Sequence, residues 1–426
     1  MTAARPDRPT SPTNGVGEIR VVVGPPVELH TGVHGSLFDA PPAGVRYEMG
    51  QGRHEYVHHP RAGWSPFDHA AVDEAVSLAP SAEGRFVVHT SRVPATGAVP
   101  WVVDCDCLLV TLLLGRDLTF GQGVEVRDAI DHETQQLRQR VLLARYLAPS
   151  CSGILFRTAF GRATLLDHVA DTGLLDAAGV ARLADRAEVV RPAVRPGPAR
   201  SPDRETPLRI TYLGRDAATK GAEVAARVFD ALASRDDVSL SWVGEPPAAP
   251  LPPVVAVSAR LPRSDWLDLL TQTDVLFSPT EMESFGMGFI EAAAHGAAIV
   301  TTTGPGMEHI GELLHDGRDS CLVSLMLPTD ARVRAFVEVL TRLADEPARA
   351  RAMGSRGRDR AAAAVDRRDD RLLHHYHRMW SAGAHDAVAD APHGRDGLAF
   401  TSITTDELSA AYGRRFGGKA RRIIVS

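Results

Sequence analysis

Lys220 is one of only two lysines in a chain that carries 47 lysines and arginines, the other being Lys419. Arginine supplies positive charge almost everywhere else. A lysine in Gly214-Arg215-Asp216-Ala217-Ala218-Thr219-Lys220-Gly221 therefore marks a position that wants a compact ammonium on a flexible stem. Further along comes Glu283-Ser284-Phe285-Gly286-Met287-Gly288-Phe289-Ile290-Glu291, two carboxylates eight residues apart across a glycine-bearing loop. Arg215 and Lys220 can hold a diphosphate, and Glu283 and Glu291 can accept hydrogen bonds from sugar hydroxyls. Each pair alone is ordinary, a Lys-Gly at a helix start or two glutamates on a solvated face. Their order and spacing make the combination specific.

These residues need strand ends and helix starts to position them, and the chain supplies both. Continuous β-branched runs at 18–24, 84–90 and 99–103 predict buried strands of a parallel sheet, followed by a helix within 124–147 and strands at 152–156 and 187–190. Residues 191–207 hold five prolines and no apolar periodicity, which predicts a linker. Alternation then restarts with strands at 208–213, 238–243, 254–257, 274–278 and 298–302. Helices are expected at 220–234, at 264–271 and from about 288. The expected organisation is a disordered lead-in (1–17), a first doubly wound α/β domain (18–195), a linker (196–207), a second such domain (208–380) and a C-terminal extension (381–426). Ligands of such folds sit at the carboxyl ends of the strands.

Composition narrows the class. The formal charge of -6 argues against a nucleic-acid binder, and Arg414, Arg415, Lys419, Arg421 and Arg422 read as a solvated basic tail. The four cysteines form no Cys-x-x-Cys pair and suit free thiols in a reducing, cytoplasmic setting. The most apolar run, 98–114, carries Asp104 and Asp106. Each would cost about 2.5 to 3.5 kcal/mol at a bilayer centre, so no transmembrane segment is expected.

The second half resembles the C-terminal domain of GT-B glycosyltransferases, specifically the large retaining family 4. Gly214-Arg215 with Lys220-Gly221, Val243-Gly244, the strand 274–280, Glu283 to Glu291 and Gly296 match the family's ordered segments. The resemblance is strongest over 208–317. It implies two Rossmann-like domains facing across a cleft, a nucleotide-diphosphate sugar as donor with a UDP-sugar as first choice, and no cofactor or metal. It places Gly214, Arg215, Lys220, Gly244, Ser284, Phe285, Gly286 and Met287 around the donor, Glu283 against the transferred sugar and Glu291 on the ribose. A donor phosphate oxygen would take the acceptor's proton.

The first half departs from the pattern. Gly24-Pro25-Pro26-Val27 stands where a glycine-rich loop is usual, and an aspartate, Asp106, stands where many members carry a histidine. Asp106 and His89 are alternative candidates for the acceptor side. Two rival readings remain: a noncatalytic nucleotide-sugar-binding subunit of the same fold, and a metal-dependent GT-A enzyme using Asp104 and Asp106. The histidines at 54, 58, 59, 374, 375 and 377 lack the partners of a metal site. A small soluble acceptor of specialised metabolism is the expected partner.

Overall fold

A computed structural model describes residues 18–60, 71–81, 83–97, 99–106, 118–120, 124–126, 132–198, 207–214, 216–383 and 398–415. The expected lead-in (1–17), the middle of the linker (199–206), Arg215, part of the apolar run (107–114) and the basic residues beyond 415 lie outside these.

The first half contains β1 (Ile19–Gly24), α1 (Thr31–Asp39), β2 (Val45–Met49), β3 (Gln51–His58), β4 (Ala71–Ala79), β5 (Val87–Ser91), β6 (Trp101–Cys105), β7 (Leu118–Phe120) and β8 (Val124–Val126). It continues with α2 (His132–Tyr146), β9 (Cys151–Phe156), α3 (Ala159–Asp171), α4 (Ala177–Arg186) and β10 (Ala187–Val189). Six of its strands form a sheet in the order β10-β9-β6-β5-β1-β2, parallel throughout. β1, β5, β6 and β9 are almost wholly buried, as strands covered on both faces should be.

The second half runs β11 (Leu208–Gly214), α5 (Ala222–Leu232), β12 (Val238–Gly244), β13 (Ala256–Ser258), α6 (Arg263–Gln272), β14 (Val275–Ser278), α7 (Met287–Ala294), β15 (Ala298–Thr303), α8 (Ile310–Leu313), β16 (Ser320–Ser324) and α9 (Thr329–Asp345). Its sheet, β13-β12-β11-β14-β15-β16, is also parallel throughout. The two parallel six-stranded sheets flanked by helices are consistent with the two Rossmann-like domains expected of a GT-B fold.

Two features differ from the sequence expectation. Residues 124–126 form a strand paired with β7, and the helix expected from 124 starts at His132. Val124-Glu125-Val126 is a β-branched alternation that favours a strand over the first helical turn. The C-terminal extension, for which the sequence predicted no element, supplies β17 (Ala399–Thr404), which pairs antiparallel with β3, itself paired with β4, and α11 (Thr405–Arg415) follows it. His54 and His58 therefore sit on a strand, where i and i+4 lie on one face as well. His54 lies near the Tyr56 hydroxyl and His58 near Thr401.

The long helix α10 (Pro347–Ala382) serves both domains. Its first half buries Ala350 and Met353 in the core of the second domain. Its last turns bury Leu372, Tyr376 and Met379 in the core of the first. Between them Arg368, 2% exposed at its side chain, donates to the carbonyls of Ala193 (2.8 Å) and Ala40 (3.2 Å). Among the described residues no helix is long and apolar enough to cross a membrane.

Candidate active site

The loop after β11 is wound by its own polar groups. The Asp216 carboxylate accepts from Ala218 N (3.1 Å), the Asp216 carbonyl accepts from Lys220 N (2.9 Å), and Tyr212 donates its hydroxyl to the Lys220 carbonyl (3.2 Å). Gly221 then starts α5 at φ 64. A Cβ there would stand 2.0 Å from the Pro279 carbonyl oxygen, so both the left-handed backbone and the close approach require glycine. Because the loop is pinned against 279–283, the Lys220 ammonium lands among that segment's acceptors. Nζ donates to Met282 O (2.7 Å) and Glu283 Oε2 (2.9 Å), with Thr280 Oγ1 at 3.4 Å.

Glu283 binds with both oxygens. Oε1 accepts from the backbone N–H groups of Ser284 (3.1 Å), Phe285 (3.3 Å) and Gly286 (3.0 Å). Burial alone would raise its pKa. The Lys220 charge, the Lys220 hydrogen bond and the Phe285 amide outweigh burial and hold it below the ordinary value. The amides just before α7 are thus gathered by a carboxylate that is itself held by Lys220. Gly286 (φ 96) caps α7, and the side chains of Phe285 and Met287 are buried in the second domain's core. Gly214 and Gly244 end neighbouring strands in register, beside this loop.

Glu291, 5% exposed, lies one turn into α7. Its Oε1 accepts from Arg263 Nη1 (2.7 Å) and its Oε2 from Trp266 Nε1 (2.7 Å). Arg263 and Trp266, three apart on α6, share one helix face, a spacing visible in the sequence but too common to single out. The first domain closes on the same place. A Cβ on Gly32 of α1 would be 2.6 Å from Met287 Cγ and 2.7 Å from Glu291 Oε1, so only glycine lets α1 approach α7 this closely.

Behind α1 runs a buried polar chain of which the sequence singled out only His89 and Asp104. His30 Nδ1 accepts from the amides of Gly32 (3.1 Å) and Val33 (3.3 Å), capping α1. The His30 amide donates to His34 Nδ1 (2.8 Å), which leaves the His34 proton on Nε2 to be donated to Asp104 Oδ2 (3.0 Å). His89 Nε2 is also 3.0 Å from Asp104, at Oδ1, but lies off the direction of a hydrogen bond. Its other nitrogen meets the Tyr376 hydroxyl of α10 (2.7 Å), which meets that of Tyr47 (3.1 Å). Burial opposes the Asp104 charge, and the two histidines more than offset this, so its carboxyl stays well below the ordinary range.

Asp106 does not join Asp104. It pairs with Arg157 Nη1 (3.3 Å) and keeps some exposure. Asp104 and Asp106 have separate partners, His34 and Arg157, which is not the shared pair that the GT-A reading expects. The structure therefore brings Lys220 together with Glu283 and the 284–286 amides, and His89 with Asp104. It pairs Asp106 with Arg157. Arg215 lies outside the described residues.

Residues 207–346 match the family "Glycosyl transferases group 1". No curated protein is significantly similar to the chain. Among solved structures it is similar to TarM, with 12% identity over 68% of this chain and 54% of that chain at a TM-score of 0.47. It is also similar to sucrose-phosphate synthase from Thermosynechococcus elongatus, with 16% identity over 70% of this chain and 74% of that one at a TM-score of 0.47. For Anabaena Alr3699/HepE in complex with UDP-glucose the identity is 12% over 85% of this chain and 99% of that one, at a TM-score of 0.47. The chain thus spans about half the length of TarM.

Proposed function

With residues 207–346 as a glycosyl transferases group 1 domain, we propose that the protein is a retaining glycosyltransferase. It moves a sugar from a nucleotide-diphosphate sugar to a hydroxyl of a small soluble acceptor. The observation that carries this reading is the Lys220–Glu283 pair at 2.9 Å, set at the carboxyl ends of β11 and β14. An ammonium there faces the charge that gathers on a departing diphosphate. Arg215 adds a bidentate fork from the same loop.

In the proposed mechanism the donor lies across the strand ends of the second domain, and Lys220 shifts part of its hydrogen bonding from Glu283 to the diphosphate. Glu283 then turns toward the transferred sugar's hydroxyls. Glu291, oriented by Arg263 and Trp266, lies at the ribose, and α1 closes over both through Gly32. Closure of the first domain brings the acceptor, with Asp106 or His89 on its side of the cleft. A donor phosphate oxygen takes the acceptor's proton, so the reaction needs no protein base on the donor face and no metal. The described cysteines Cys105, Cys151 and Cys321 are all free thiols, which supports a cytoplasmic setting.

The test is direct. Incubation with UDP-, GDP-, ADP- and dTDP-sugars should release nucleoside diphosphate from one of them, slowly without acceptor and unaffected by chelator. Lys220→Ala should abolish that release. Equal release by parent and Lys220→Ala would refute the assignment, and a product of inverted anomeric configuration would refute retention.

A further inference from the structure

His309 lies at the seam between the domains, fully buried, and neither ring nitrogen has a hydrogen-bond partner among the described residues. A buried polar group left unpaired costs about 1 to 3 kcal/mol. Native proteins seldom carry one without a use for it. The ring stacks on Phe160 of the first domain, with centroids 5.9 Å apart and planes inclined by 29°. That contact is locked by the neighbouring Glu312, whose carboxylate accepts from the amides of Ala159 and Phe160 at the start of α3, both at 2.8 Å. Glu283 of the donor loop and Asp106 of the first domain both lie within electrostatic reach of the imidazole, together with Glu308 and Glu312. Opposite, Arg157, which holds Asp106, is 9% exposed and has a buried Nε that also lacks a partner.

We infer that His309 is a sugar-contacting residue, its imidazole making the hydrogen bond that holds one hydroxyl of the transferred sugar between the donor loop and Asp106. This rests on the glycosyltransferase reading and extends it to a residue outside the matched signature segments. Protein packing closes both nitrogens to solvent, so their partner is a group enclosed when the domains close on substrate. Burial keeps the imidazole neutral, so it brings no charge to a diphosphate, whose charge falls to Lys220 instead. A neutral imidazole offers one donor and one acceptor, the complement of a hydroxyl.

The experiment compares the parent with His309→Phe, which keeps the stack on Phe160 and removes both nitrogens, and with His309→Gln, which returns a donor and an acceptor. Calorimetry with UDP-glucose, GDP-mannose, ADP-glucose and dTDP-glucose identifies the donor that the parent binds, and the matching nucleoside diphosphate is titrated alongside. His309→Phe is expected to melt no lower than the parent and to bind the nucleoside diphosphate within twofold. It should lose tenfold or more in affinity for the nucleotide sugar, and His309→Gln should recover part of that loss. Parent-like affinity of His309→Phe for the nucleotide sugar would overturn the inference, as would equal weakening of both ligands. A parent that binds none of the four nucleotide sugars would remove the glycosyltransferase reading and this one with it. A parent that binds one, beside a His309→Phe protein that binds it equally well, removes only this one.

Discussion

Lys220 is the residue on which the proposed chemistry turns, and its surroundings give it two roles. It neutralises Glu283, and through Glu283 it holds the amides of residues 284–286 in place. Lys220→Ala should therefore weaken nucleotide-sugar binding about 10- to 100-fold, the worth of one charge-assisted hydrogen bond at about 1.5 to 3 kcal/mol, measured by calorimetry. Lys220→Arg should not restore it, because a planar fork does not fit a site that takes a single point charge between a carbonyl and a carboxylate. Glu283 makes a pH prediction. Its folded-state pKa is depressed, so it contributes stability that is present above the ordinary carboxylate value and lost as pH falls through the folded one. Glu283→Gln, whose amide oxygen can still accept from the loop, should flatten the acid limb of a urea-midpoint against pH plot. At this scale the sequence was highly legible for Lys220 and Glu283, because residue type and spacing carried them. It was silent on His34, Arg263, Trp266 and His309, whose importance comes from what they touch.

At the scale of elements, the site depends on two loops that end strands of one sheet and are pressed together. Gly221→Ala would put a Cβ into the Pro279 carbonyl and force an L-residue into the left-handed region, which alone costs about 1 to 2 kcal/mol. The expected result is a lower melting temperature together with weaker nucleotide-sugar binding, since the Lys220 loop and the 279–283 segment can no longer meet. The strands of the parallel sheets could be read from the sequence because burial on both faces leaves continuous apolar runs. β3, β4 and β17 could not, because their layer mixes charged and apolar residues. The pairing of β17 with β3 joins segments more than 300 residues apart, which no local pattern records.

At the scale of the molecule, α10 connects the two cores, and Arg368 ties it to the 193 and 40 carbonyls where the domains approach each other. Arg368→Leu should lower the melting temperature by stranding those carbonyls in a buried seam. Limited proteolysis should then cut within 196–207 faster than in the parent. The buried imidazoles set a second whole-molecule property. Burial holds His34, His54, His309 and His375 below the ordinary value of 6.5, against the pull of nearby carboxylates. The unfolded chain therefore takes up protons that the folded one refuses as pH falls below about 6.5, and folding stability should decline with it. Urea titrations at stepped pH from 8 to 5 should show the midpoint falling across that range. A flat profile would contradict the neutral buried state.

The amino-acid sequence by itself determined the two α/β repeats, and residue type and spacing singled out Lys220 and Glu283. Those features are written in local periodicity and in residue spacing, which a single chain displays. Tertiary structure decided that Glu283 is held by Lys220, that Glu291 is braced by α6, that Asp104 serves a buried histidine chain while Asp106 turns to Arg157, and that His309 is enclosed at the seam. Each of these is a contact between residues separated in the chain, inside one domain for all but the His309 seam, and burial and hydrogen bonding at such contacts exist only once the chain is folded.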